Sequence, residues 1–238
     1  MGKRSEHRET TERAILDAGL SLLASGGQEA LTIRGLARRL SLAPSALYRY
    51  VANRDELLTL LIAHSHNDLA DAVELAHAAV EPSDLRGRWR AVSHAIRDWS
   101  REHRFEFELI FGTPVRGYAA PPERTTEPGT RVLFLLARIG PDVERAGFAV
   151  PRPPGLVAAA TESLPGVLAA AAGAGLTMAP ETAMDGLAAW HLVMGAVSSE
   201  LFGYLGRGTV DSDRFFDAIV LIGEQLLFGP AASTDGPG

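Results

Sequence analysis

With 238 residues, 46% of them hydrophobic, the chain is long enough to bury a sizeable core and to form one or two domains. It has no cysteine, which excludes disulfides, thiolate metal sites and thiol nucleophiles. The formal charge of −6 and an isoelectric point near 5.7 lack the strongly basic balance of many nucleic-acid binders.

That charge is unevenly spread. Through residue 55, nine basic residues face six acidic ones, a net of +3 that leaves −9 for the rest. A basic end on an acidic body turns that end toward a polyanion while the body is repelled. The polar N-terminus has no apolar run of the length a signal peptide or membrane helix requires, so the expectation is a cytoplasmic protein with no membrane partner.

The first predicted helix carries Ile15, Ala18, Leu22 and Leu23 on one face and ends at Gly26-Gly27. Next, Ile33, Leu36, Ala37 and Leu40 recur at i, i+3, i+4 and i+7, with Thr32 placed to cap the helix. Ser41-Leu42-Ala43 makes a short turn, Pro44 suits the first turn of another helix, and Leu47 packs inward. Arg34, Arg38, Arg39, Ser45, Tyr48, Arg49 and Tyr50 are left facing outward. Spacing alone fits either a helix-turn-helix, whose second helix enters a major groove, or a helical hairpin with a solvated basic face.

Asn53 or Asp55 caps a long helix through Leu57, Leu61, His64 and Leu69 to about Ala79. After Pro82, the stripe Leu85, Trp89, Val92, Ile96, Trp99 marks a helix set deep in a bundle, followed by a shorter one over Phe105, Phe107, Leu109, Ile110 and Phe111. Gly112 to Gly129, with four prolines and three glycines, is expected to be a loop. Further helices are expected around 130–147, 154–173, 180–206 and 211–228, with a disordered tail over 229–238.

The run Leu31 to Leu40, then Leu47-Tyr48-Arg49-Tyr50-Val51 and Asn53-Arg54-Asp55-Glu56-Leu57-Leu58, resembles the N-terminal domain of the TetR family of repressors without a gap. The resemblance implies an all-α, homodimeric regulator. A three-helix helix-turn-helix domain over 1–55 is joined to a larger helical bundle over 56–228 for ligand binding and dimerisation. Tyr48 and Tyr50 match the family's backbone-contacting positions, with Thr32 and Arg54 gripping the strand on either side. Arg34, Pro44, Ser45, Ala46 and Arg49 are the candidates for reading bases, arginine favouring guanine and Ala46 or Pro44 meeting a thymine methyl. The chain departs from common family choices at Ser41, where glycine is usual, and at Ile33, where a hydroxyl often sits.

Trp89 through Gly112, together with Ala189-Trp190-His191 leading to Gly195 and Glu200-Leu201-Phe202-Gly203, is similar to the family's ligand-domain subgroup known by the letters WHG. The subgroup's pattern is reproduced loosely, since Leu192-Val193-Met194 separate His191 from Gly195. Trp89, Trp99, His103, Phe107, Phe111, Tyr118, Phe134, Trp190, His191 and Met194 are the candidate lining of a site for a small, largely apolar effector. His64, His66 and Asp68 could be metal ligands on one helix. His64 and Asp68 are equally an ordinary i, i+4 surface pair, and neither a metal nor a cofactor is assigned.

The helices at about 180–206 and 211–228 carry apolar stripes broader than one intrachain contact requires, which predicts a four-helix homodimer interface. The expected partners are therefore double-stranded DNA, a small-molecule effector and a second copy. Catalysis has little support: no Gly-x-Ser-x-Gly elbow or phosphate loop occurs, and a dyad of Ser198 or Ser199 with His191 would sit on one apolar interface helix. The expectation is a ligand-released repressor and not an enzyme, with a DNA-independent helical adaptor as the alternative.

Overall fold

The computed structural model describes residues 3–148, 150–206 and 208–230. Among them there are twelve α-helices and no strand: α1 (Lys3–Ala30), α2 (Ile33–Leu40), α3 (Pro44–Leu47), α4 (Arg54–Ala78), α5 (Leu85–Glu102), α6 (Arg104–Phe111), α7 (Pro122–Ala137), α8 (Ile139–Ala146), α9 (Leu156–Ser163), α10 (Pro165–Gly173), α11 (Pro180–Phe202) and α12 (Ser212–Phe228). The expected all-α class holds.

Two compact units form. The first comprises Met1–Asp71 with Trp99–Arg131, the second Ala72–Asp98 with Val132–Gly238. The packing thus divides elsewhere than at the expected boundary of 55 and 56. Leu57, Leu58 and Leu61 of α4 and Leu109 of α6 are buried in the same core as Ile15, Leu23, Leu31, Leu36, Leu47 and Val51. Removing those side chains at residue 55 would open the small domain's own interior. The chain passes from one unit to the other inside α4, α5 and α7.

In the first unit, regular helix stops in α1 where Gly26 (φ −154°, ψ 18°) and Gly27 (φ 64°, ψ −165°) leave helical geometry, as the diglycine predicts. Thr32 caps α2, its Oγ1 accepting from Gly35 N at 2.9 Å. Asn53 caps α4: its Oδ1 accepts from Glu56 N at 2.9 Å, while Glu56 Oε2 accepts from Ala52 N at 2.8 Å. The loop expected to reach Gly129 ends at Pro121, and the helices expected over 130–147 are α7 and α8. Pro122 occupies the first position of α7, where its missing N–H is no loss, and Pro128 is accommodated inside that helix.

The second unit is organised around α5, α11 and α12. Trp89 is buried and donates from Nε1 to Val220 O at 2.9 Å. Arginines of α5 grip the neighbouring helices: Arg86 and Arg90 meet the buried Glu224 at 2.8 and 2.6 Å, and Arg97 meets Glu200 and Asp213, both at 2.8 Å. Burial would push the Glu224 carboxyl up, but hydrogen bonds from Arg90 and Arg86 hold it below its ordinary range. The expected helix over 154–173 is two helices bent by 68°, because Pro165 forces Leu164 out of helical geometry. The expected 180–206 helix stops at Phe202, where Gly203 takes a left-handed turn (φ 71°). α12 begins and ends close to expectation, with Asp211 as its cap.

No single helix among the described residues is long and apolar enough to cross a membrane. Of the tail expected over 229–238, residues 231–238 lie outside the described residues.

Candidate nucleic-acid interface

The helix-turn-helix is built by burying one face of α2 and the single apolar anchor of α3. Leu36 and Leu47 are fully buried, Ala37 nearly so, and Ile33 and Leu40 pack at the margin. A side chain at Gly35 would meet Thr32 Oγ1 at 2.9 Å and the carbonyl oxygen of Ala30 at 3.2 Å, so the cap and the glycine require each other. Between the helices, Ser41 adopts left-handed geometry (φ 54°, ψ 35°), and its N–H and that of Leu42 close the end of α2 on carbonyls of Arg38 and Ala37. The turn, where the resemblance leads to an expectation of glycine, is made here by serine.

This burial leaves the exposed positions of the segment rich in arginine. Arg34, Arg38, Arg39 and Arg49 are exposed, and no Asp or Glu occurs between Ala30 and Arg54. Thr32, Pro44, Ser45 and Tyr48 are also exposed, Tyr48 to 55%. A cationic surface with a protruding phenol and hydroxyls has the groups that phosphate contacts use. Ala46 is half-buried, and Tyr50, expected to face outward, is half-buried against the domain core.

Arg54 departs most from expectation. Its Nε donates to Leu31 O at 3.0 Å and its Nη2 to Gln28 O at 2.8 Å. The side chain expected to grip phosphate uses Nε and Nη2 to tie the start of α4 to the turn before α2. Sequence spacing could not foresee this, since the partners lie 23 and 26 residues away. The same holds for Tyr118, whose hydroxyl lies 2.8 Å from Thr59 Oγ1, and Arg124, whose Nη1 lies 3.6 Å from Glu56 Oε1.

The ten expected effector-site residues divide between the units. In the first, Trp99 donates from Nε1 to Asp68 Oδ2 at 2.7 Å, and His103 stacks on its indole with ring centres 5.0 Å apart. Phe107 is fully buried, its ring 5.1 Å from that of Phe111, and Phe111 meets His66 edge-on at 5.6 Å. Burial lowers the His66 pKa to about 4, so its imidazole is neutral near pH 7. Tyr118 belongs to this unit through Thr59. The other five lie in the second unit. Trp89 is interior packing with its N–H spent on the α12 backbone, and His191 is exposed with Nδ1 2.6 Å from Leu187 O of its own helix. Phe134, Trp190 and Met194 are half-buried there. Of the three possible metal ligands on α4, His66 is packed against Phe111 and Asp68 is engaged by Trp99. Among the described residues no group of three or more His, Asp or Glu could hold a metal ion.

Residues 15–61 match the family model described as bacterial regulatory proteins of the tetR family. Residues 89–221, more than half of the chain, match the tetracyclin repressor-like C-terminal domain, a match that begins at Trp89, as does the WHG resemblance. HTH-type transcriptional regulators of Mycobacterium bovis and Mycobacterium tuberculosis are each 40% identical over 133 residues, which is 56% of this chain and 57% of each relative. The matched segment thus spans little more than half the length of these curated relatives, which are HTH-type transcriptional regulators. A solved structure carrying a provisional regulatory assignment is 27% identical, covers 96% of this chain and 100% of its own, and superposes with a TM-score of 0.75. The TetR family regulator PfmR from Thermus thermophilus shares the fold at 17% identity and a TM-score of 0.54, covering 92% of this chain and 99% of its own.

Proposed function

Because the chain belongs to the TetR family of bacterial regulatory proteins, we propose that it is a one-component repressor. It binds an inverted-repeat operator as a homodimer and is released by a small, largely apolar effector. The observation that carries the DNA-binding reading is the acid-free exposed face of α2 and α3, with Arg34, Arg38, Arg39, Tyr48 and Arg49. On this face Arg34 and Arg49 read bases together with Pro44, Ser45 and Ala46, while Thr32, Tyr48 and Tyr50 contact the backbone. A regulator of chromosomal DNA acts in the cytoplasm.

Dimerisation is supported by the outer face of α12, where Leu221 is 51% and Ile222 47% exposed. Apolar side chains of this size, adjacent and uncovered on a helix whose other face is already packed, suit a self-complementary contact. The effector reading is supported by the aromatic cluster of the first unit, where half-buried Phe111 packs on Phe107 and the neutral His66 and where His103 stacks on Trp99, apolar groups with few oriented polar atoms. An effector preferring one dimer geometry lowers DNA affinity by the factor by which DNA lowers its own.

The test is a fluorescence-anisotropy titration of labelled DNA from immediately upstream of the protein's own gene against a random duplex, at two salt concentrations. Preferential, salt-weakened binding by a dimer is expected. Arg34→Ala then weakens the upstream fragment by about 1 to 3 kcal/mol and relaxes preference at one base, whereas Tyr48→Phe weakens both duplexes alike. No binding to either duplex at low salt would remove the reading in favour of an adaptor.

A further inference from the structure

We propose that Tyr118 and Arg124 are positioning residues for DNA binding: they hold the first turns of α4 so that the recognition segment is presented in one direction, and neither touches DNA. The inference rests on the DNA-binding reading above. It starts from the shortness of α3, four residues with no side-chain cap. So short a helix takes its direction from what holds its ends. At its exit Val51 is fully buried, and the Ala52 N–H is held by Glu56 Oε2 at 2.8 Å. Glu56 is therefore the side chain through which α4 grips the end of the recognition segment.

The other carboxylate oxygen of Glu56 faces Arg124 Nη1 at 3.6 Å. One turn further along α4, the Thr59 hydroxyl donates to Asp55 O at 2.9 Å. Its proton is thereby used, and in the 2.8 Å pair with Tyr118 the phenol is the donor. Tyr118 and Arg124 both belong to the stretch after α6, and Val115 and Tyr118 of that stretch pack on the core that holds Leu47 and Val51. Phenylalanine would provide the same packing as Tyr118. The hydroxyl adds only the bond to Thr59, a residue 59 positions away and 2% exposed. Two contacts one turn apart, Glu56 and Thr59, fix both the tilt and the rotation of the helix start, as a single contact cannot.

The experiment uses the full chain and a duplex that the wild-type protein selects from a randomised library, with Tyr118→Phe, Thr59→Val, their double variant and Thr59→Ser. Affinity is read by anisotropy over a range of salt concentrations, and urea unfolding is followed in parallel. Expected are losses of about two- to tenfold for each of the two single variants. The double variant should be no weaker than the weaker single one, and Thr59→Ser should bind as wild type. Arg124→Ala should show a comparable loss. The slope of log K against log salt should stay at the wild-type value in every variant, because no phosphate contact is lost. Single variants that bind as wild type while unfolding more easily would reduce the pair to ordinary packing and overturn the proposal. Losses that multiply, or a shallower salt slope for Tyr118→Phe or Arg124→Ala, would overturn it as well. A wild-type protein that selects no sequence would sink the DNA-binding reading with it, an outcome distinct from variants that merely equal a binding wild type.

Discussion

Arg54 donates to the main-chain oxygen of Leu31 at 3.0 Å, joining the first residue of α4 to the residue before the cap of α2. A second bond from the same guanidinium reaches Gln28 O at 2.8 Å. A planar group with several fixed donors can close two carbonyls at once, which a lysine ammonium at this position does less well.

Arg54→Ala is accordingly expected to lower stability by about 1 to 3 kcal/mol, since two charge-assisted bonds to the backbone are lost. Urea unfolding measures this. In DNA titrations the salt slope of Arg54→Ala should match wild type. A slope smaller by about one per subunit would return Arg54 to the phosphate-gripping role that the family resemblance implies.

Ser41 occupies left-handed backbone geometry that carries a penalty for any residue with a Cβ. Ser41→Gly should raise stability by about 1 kcal/mol, seen as an increase in melting temperature, and Ser41→Val should lower it. Equal melting temperatures for the two variants would contradict the strain argument.

Gly223 of α12 lies against the indole of Trp89, and a Cβ there would be 2.5 Å from Trp89 Cζ2. With Trp89 also bonded to Val220 O, the ring has little room to retreat. Gly223→Ala is expected to cost about 1 to 3 kcal/mol by overpacking and to change the tryptophan fluorescence of the native state. An unchanged denaturation midpoint and emission spectrum would show that the two helices separate freely.

The low pKa of His66, about 4, makes stability depend on pH with a definite sign. The folded state resists the proton that the unfolded chain accepts near pH 6.5, so stability is full above that value and falls as the pH drops toward 4. The loss approaches roughly 3 kcal/mol at the lower limit. Comparing unfolding free energies at pH 7 and pH 5 for the wild type and for His66→Leu isolates this contribution. The variant should lose less stability over that interval.

Leu221 and Ile222 leave α12 on the side opposite Phe216, Val220 and Leu227, which are buried. Replacing both by aspartate should therefore shift the mass seen by light scattering from dimer to monomer while helical content is retained. A wild-type protein already monomeric at micromolar concentration would contradict the proposed interface.

Most of the helices were legible because their signals are local. The i, i+3, i+4, i+7 spacing of Ile33, Leu36, Ala37 and Leu40, the caps Thr32 and Asn53, and the diglycine at Gly26-Gly27 act within a few residues of one another. Less legible was the proline-rich stretch, since Pro122 starts a helix as readily as it marks a loop and only the surrounding packing selects between them.

The sequence by itself determined the all-helical class, the order of the main elements and the arginine-rich, acid-free face of α2 and α3. These follow from periodicity, capping and composition, which each segment carries within itself. Only the tertiary structure decided that Arg54 holds Leu31 and Gln28, that Tyr118 holds Thr59 and that Trp89 closes on Gly223. It also decided that the first unit takes Trp99–Arg131 from the middle of the chain. In each case the partners are separated by more than twenty residues, and the direction of a polar side chain is set by whichever unmet hydrogen-bonding group the fold brings within reach.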